Sequence, residues 1–141
     1  MQDRVCRTFA GAPDQLRPMS EWFRDIAEGA GVDQDVVWKA EMCLNEAATN
    51  IIMYAFDDGV RHPIDIEIQP TPRAVRMTIA DEGRPFNPLD VPTPPVVESL
   101  EEAPIGGLGV HVIRSYARDV SYRREADRNV LVLTFEATPD S

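Results

Sequence analysis

Basic side chains are scarce in this chain. Its 141 residues carry 14 Lys and Arg against 24 Asp and Glu, a formal net charge of −10. That balance repels phosphate backbones and offers no basic stripe, so no direct nucleic-acid partner is expected. Cysteine is nearly absent: Cys6 and Cys43 are too few and too far apart for a zinc knuckle or a disulfide framework, and both read as free, buried thiols. No apolar run approaches the ~20 residues that a membrane helix needs. The opening MQDRVCRTFAGA holds no apolar signal core, so the expectation is a soluble, cytoplasmic chain with no membrane partner. Histidine is also rare: His62 precedes Pro63 and His111 falls in a helical pattern, which makes them loop and packing residues rather than phosphoacceptors.

What is present fits one domain, 1–141, long enough to bury a real core. Val5 to Ala10 can form a first strand. Leu16, Met19, Trp22, Phe23, Ile26 and Ala30 then recur every three or four positions, an amphipathic helix closed by Gly29 and Gly31. Asp33 is a plausible N-cap for a second helix running from Val36 to about Phe56, with Val37, Ala40, Leu44, Ala47, Ile51 and Ala55 on one face. Ile64, Ile66 and Ile68 alternate with polar residues, as do Val75, Met77 and Ile79, which predicts two half-buried strands joined through Pro70-Thr71-Pro72. A third helix is predicted from Val110 to about Ala117, then strands from Val120 to Arg124 and Val130 to Phe135. The fold class is α/β: a two-layer sandwich with a mixed, mostly antiparallel sheet and helices on one face.

Four stretches could carry chemistry. Glu46 and Asn50 stand four apart, so they share a helix face, read as lying opposite the Leu44, Ala47, Ile51 stripe. No charge falls between Ala47 and Phe56, and Met42, Met53 and Tyr54 flank the pair, so this is not an ordinary solvated face. A carboxylate there can take a proton and a neutral amide oxygen suits Mg²⁺, although a plain surface face would also explain the pair. In IADEGRPFNP, Asp81 ends a strand before Gly83 and Pro85, which is either turn punctuation or an acceptor for a ligand amino group beside a glycine that admits a flat ring. The proline-rich, acidic stretch from Asn87 to Ile105 is a long connection of the kind that forms lids or linkers. Gly106, Gly107 and Gly109 fall within PIGGLGVHVIR, just ahead of a predicted helix. They lack the Lys-Ser/Thr pair of a P-loop and the third glycine of a dinucleotide fingerprint, so alone they could be a turn or an anion cradle.

The order of these stretches is specific. Glu-x-x-x-Asn on a helix, Asp-x-Gly-x-Pro-Phe after a strand, a proline-rich loop and Gly-Gly-Leu-Gly before a helix resemble, over nearly the whole chain, the ATP-binding domain of the gyrase, heat-shock chaperone, histidine kinase and MutL (GHKL) superfamily. The chain is most similar to that superfamily's small anti-sigma-factor serine kinases. The resemblance implies ATP/ADP and Mg²⁺ as cofactors, with Glu46 as general base and Asn50 as the Mg²⁺-binding asparagine. It implies that Asp81, with Gly83 beside it, receives the adenine amino group. It implies that the backbone of Gly106, Gly107, Leu108 and Gly109 wraps the phosphates under a lid at about 87–105, and that Thr134 on the last strand supports the adenine.

The same resemblance implies an ATP-dependent protein-serine/threonine kinase that acts as an anti-sigma factor. Its partners would be a sigma factor and a STAS-type anti-anti-sigma protein, which it phosphorylates in a partner-switching system, with room for a homodimer. Two departures stand out: Tyr54 where many relatives have histidine, and Ala103-Pro104-Ile105 where some place an arginine, leaving Arg84 and Arg114 as candidate substitutes. The rival readings are a non-catalytic ATP-dependent switch of the same fold, against which Glu46 speaks, and a histidine kinase catalytic domain, which lacks here a dimerising helical pair with a phosphoacceptor histidine.

Overall fold

The computed structural model describes residues 4–55, 62–87 and 107–138. Five strands form one sheet: β1 (Val5–Ala10), β2 (Pro63–Thr71), β3 (Ala74–Asp81), β4 (Asp119–Glu125) and β5 (Arg128–Glu136). Their order is β1-β2-β3-β5-β4 and every pairing is antiparallel, so the mixed, mostly antiparallel sheet expected from sequence is antiparallel throughout these strands. Helices α1 (Leu16–Gly29), α2 (Gln34–Asn50) and α3 (Gly107–Tyr116) complete the described elements, with a short 3₁₀ turn at Pro13–Gln15 and a π turn at Ile51–Ala55. No helix among the described residues is long and apolar enough to cross a membrane.

Alternation decides which face of the sheet is covered. Ile64, Ile66 and Ile68 on β2, Val75, Met77 and Ile79 on β3, and Leu131, Leu133 and Phe135 on β5 are buried together with Met19 and Phe23 of α1, Val36, Ala40, Cys43, Leu44 and Ala47 of α2, and Ile113 of α3. Each fully buried aliphatic or aromatic side chain contributes roughly 1.5–3 kcal/mol over its exposed state. The intervening residues, such as Asp65, Glu67, Arg76 and Thr78, take the other face because successive strand side chains point to opposite sides.

Local chemistry sets the ends of the helices. Gly31, at φ +70°, lies in the left-handed region and lets the chain leave α1, with its N–H bonded to the Glu28 carbonyl at 3.1 Å. The Asp33 side chain caps α2 by accepting from the Asp35 N–H at 3.0 Å, while the Asp33 N–H donates to the Pro72 carbonyl at 2.9 Å. The cap thus ties the start of α2 to the β2–β3 turn.

Where the second helix was expected to continue regularly to Phe56, α-helical bonding ends at Asn50 and a π turn follows, placed next to candidate site residues as such turns often are. Phe56 itself falls outside the described residues. Cys43 is buried as expected, but Cys6 is exposed, because it faces away from the helices on the edge strand β1.

Two measurements follow from these details. The β4–β5 hairpin turns on Ala126 and Asp127, both at positive φ (52° and 62°), which is the pattern of a type I′ turn. Alanine gains nothing to offset that conformation, so Ala126→Asn is expected to raise stability by about 1 kcal/mol in thermal denaturation. The Cys43 thiol is pushed up to about 12, first by burial and then by the Glu46 charge. Since the thiolate is the reactive form, a thiol reagent at neutral pH will modify Cys6 in the native protein and reach Cys43 only on unfolding.

Candidate functional site

The antiparallel register of β3 and β5 sets Asp81 directly opposite Asn129. Both are polar residues in strand positions that otherwise carry the core, and they are 3% and 5% exposed. Such groups need partners, and they provide them for each other: Asn129 Nδ2 donates to Asp81 Oδ1 at 3.1 Å. Gly83 N–H donates to the same oxygen at 2.8 Å, closing an Asx turn in which Gly83 is itself buried. Burial raises the Asp81 carboxyl above its ordinary range, while Asn129, Gly83, Arg124 and Arg128 pull the other way.

Next to this pair lies a cleft of ≈ 440 Å³, counting its open mouth. Ala47, Asn50 and Ile51 line it from α2 and the π turn, Ile113 from α3, and Ile79, Asp81, Phe86, Tyr122, Asn129 and Leu131 from the sheet side. An apolar cleft with a few converging polar groups is the usual form of a small-molecule site.

Asn50 was expected opposite the Ala47 and Ile51 stripe, yet it shares the cleft with both and is 5% exposed. The reason is helical geometry, since a residue three positions after Ala47 is rotated only about 60° from it. Among the described residues, the buried Asn50 Nδ2 has no hydrogen-bond partner. A buried amide left unsatisfied at a cleft wall is a group that a ligand would complete.

The structure does not bring Glu46 into this cleft. It sits one turn before Asn50, about 6 Å along the axis. It faces a separate open depression lined by Trp38, Glu41, Met42 and Asn45. Trp38 is 53% exposed and packs edge-on against Tyr116 of α3, with ring centroids 5.5 Å apart.

Gly107, Leu108 and Gly109 were expected in a loop before the helix, but they form the first turn of α3. The first N–H groups of a helix have no partners within it, so an anion cradle remains available there in helical form. Ile113, a cleft residue, follows Gly107 by six positions, about 9 Å along the axis. Gly106 and, beyond Asn87, the expected lid at 87–105 lie outside the described residues.

Thr134 is a correction. It pairs with Arg76 and Asp119, five positions along β5 from Asn129, or about 17 Å. An odd offset also turns its side chain to the opposite face of the sheet. The last-strand polar group that meets Asp81 is Asn129, which sequence reasoning missed. Its signal was present: Asn129 occupies an inward slot in the alternation of Leu131, Leu133 and Phe135, where a polar residue demands partners.

A metal would depend on few groups. Among the described residues no cluster of three or more His, Cys, Asp or Glu could hold one. Asn50 fits Mg²⁺ only as one neutral oxygen completing a shell of phosphate oxygens and water.

Comparison with known proteins gives this geometry a context. Residues 9–135 match the family described as the histidine kinase-like ATPase domain. The serine/threonine-protein kinase BtrW of Bordetella bronchiseptica is 35% identical over 120 residues, covering 85% of this chain and 84% of BtrW. The anti-sigma F factor of Bacillus subtilis is 25% identical over 87 residues, covering 62% of this chain and 60% of that protein.

Among solved structures, the RsbU and RsbW domains of Rv1364c from Mycobacterium tuberculosis superpose at a TM-score of 0.69 over 99% of this chain. Identity there is 11% and this chain spans 34% of that one, so the likeness is one of fold. A histidine kinase domain from Erythrobacter litoralis EL346 gives a TM-score of 0.51 at 15% identity, over 87% of this chain and 59% of that one. The chain belongs to the histidine kinase-like ATPase family, and within it to the serine/threonine-protein kinases.

Proposed function

We propose that this protein is an ATP-dependent serine/threonine kinase that binds a sigma factor and phosphorylates a STAS-type anti-anti-sigma protein, alternating between the two. The observation that carries the reading is the cleft in which a buried, doubly braced Asp81 carboxylate and the unsatisfied Asn50 amide lie together. The relatives named as a serine/threonine kinase and an anti-sigma factor support the activity and the partner class.

Each residue then has a part. Asp81 accepts the adenine amino group, and Gly83 lets the ring lie close to the backbone. The first turn of α3 at Gly107, Leu108 and Gly109, with Gly106 before it, offers N–H groups to the phosphates. Asn50 would hold Mg²⁺, which when bound offsets phosphate charge. Glu46 lies outside the cleft on the side open to an approaching protein, where it can orient a serine hydroxyl and take its proton. Phosphoryl transfer in such a site rests on positioning and electrostatics rather than on covalent chemistry with the enzyme.

The test is incubation with γ-labelled ATP, Mg²⁺ and purified STAS-domain proteins, followed by phosphoamino-acid analysis. Phosphoserine or phosphothreonine on a STAS protein, and weaker binding of the phosphorylated form, are the expected results. ATP and ADP binding without transfer to any STAS protein would favour a nucleotide-dependent binding switch.

A further inference from the structure

The Asn129 amide is saturated to a degree that ordinary strand pairing does not require. Its Nδ2 donates to Asp81 Oδ1 at 3.1 Å and to the Arg84 carbonyl at 2.8 Å, with the Gly83 carbonyl at 3.5 Å. Its Oδ1 accepts from the Phe86 N–H at 3.2 Å and from the Tyr122 hydroxyl at 2.5 Å. A primary amide offers two N–H donors and two lone pairs, and this one uses all of them. Arg124 adds a bond from its Nη1 to the Gly83 carbonyl at 2.6 Å. Two residues of the β4–β5 hairpin, Asn129 and Arg124, therefore grip the segment that leaves β3, and Tyr122 holds Asn129 in place.

The two bonds to Asp81 have a directional consequence. Gly83 N–H and Asn129 Nδ2 both converge on Oδ1, and among the described residues no hydrogen bond falls on Oδ2. A carboxylate fixed through one oxygen presents the other in one orientation. Asp81, Asn129, Tyr122 and Phe86 all line the cleft, so the gripped segment and the cleft wall are the same structure.

We propose that Asn129, with its oxygen held by Tyr122, is the positioning residue for base recognition: it orients Asp81 toward the bound base and sets the backbone from Gly83 to Phe86 against it. This rests on the reading of the cleft as a nucleotide site. The supporting electrostatics are consistent: burial raises the Asp81 carboxyl, Asn129 is the foremost group opposing that rise, and Gly83, Arg124 and Arg128 follow. Base binding needs the ionised carboxylate, so affinity is present above the Asp81 pKa and lost as pH falls through it. Removing the Asn129 donor moves that loss to higher pH. A role confined to packing would change stability and leave the pH of half-loss where it was.

The experiment measures ADP affinity by calorimetry against pH for the parent, Asn129→Ala, Asn129→Thr and Asp81→Asn, each checked for folding by thermal melting. Asn129→Ala is expected to weaken ADP binding roughly tenfold or more at neutral pH and to shift the pH of half-loss upward. Asn129→Thr keeps a hydroxyl donor near Asp81 but lacks the second donor for Arg84. It should hold the pH profile near that of the parent while still losing affinity, and it decides the matter if Asn129→Ala does not fold. Parent-like affinity and pH profile in either folded Asn129 variant, with Asp81→Asn impaired, would overturn the positioning role and leave the nucleotide site standing. Unchanged affinity in Asp81→Asn would overturn the nucleotide reading itself, and the proposal with it.

Discussion

Glu46→Gln is expected to bind ADP as the parent does and to transfer phosphate about 10² to 10⁴ times more slowly, the usual worth of a positioned general base. The separation of the two effects follows from where Glu46 lies. The cleft lined by Asn50, Asp81 and Asn129 does not include it, so an isosteric amide leaves the nucleotide contacts alone. Glu46 instead opens onto the depression with Trp38 and Met42, where an incoming hydroxyl would approach. Glutamine keeps the shape and cannot take a proton.

One further consequence is independent of any substrate. The Glu46 charge is the second cause of the raised Cys43 thiol, so Glu46→Gln should lower that thiol slightly while burial keeps it high and unreactive at neutral pH. Single-turnover phosphorylation of a STAS substrate, with ADP calorimetry alongside, reads both sides. Transfer at the parent rate would remove Glu46 from the chemistry, whereas equal losses of binding and transfer would mean that it shapes the nucleotide site.

Much of the architecture was legible because period and burial agree. The isoleucines of β2 alternate cleanly with Asp65, Glu67 and Gln69, and the stripe through Leu16, Met19, Phe23 and Ile26 has the spacing of one helix face. Asp33 announced the start of α2 through cap chemistry that acts within two residues.

What escaped the sequence depends on partners distant along the chain. The alternation of Leu131, Leu133 and Phe135 puts Asn129 in phase with the inward face and Thr134 out of it, but that the inward slot meets Asp81 is decided by the β3–β5 register, which leaves Thr134 about 17 Å off on the other face. Asn50 lies only about 60° around the helix from Ala47, so the arc of α2 that faces the cleft includes it along with the apolar stripe. Gly107 and Gly109 read as loop because glycine is a poor helix former, yet a first turn tolerates it when its N–H groups are left for other partners. Glu46 and Asn50 were read as one unit from their spacing, and they do sit a turn apart, but on either side of a boundary between solvent and cleft.

Asp81→Asn should lose nucleotide and gain stability, and the opposition of the two is the informative part. An asparagine at 81 can still accept from Gly83 N–H and Asn129 Nδ2 through its single oxygen, so the brace around the turn survives. The atom replaced is then Oδ2, and an NH₂ group in its place sets a donor against the amino group of the base. Loss of a hydrogen bond to a charged acceptor costs roughly 1.5–3 kcal/mol, about 10- to 150-fold in affinity.

Stability moves the other way. Because burial raises the folded-state pKa of Asp81 above the ordinary carboxylate range, the folded chain still holds the proton in a window where the unfolded chain has lost it. Stability therefore falls as pH rises through that window, and at neutral pH the ionised carboxylate weighs against the fold. The amide carries no charge to desolvate, so the variant should melt at or above the parent at neutral pH and lack this component of the acid-range pH dependence. Thermal melts across about pH 4 to 8, paired with ADP calorimetry, test both halves. Parent-like ADP binding would remove Asp81 from the site. A lower melting temperature with weakened binding would instead make the carboxylate a structural brace, and the loss of nucleotide its secondary effect.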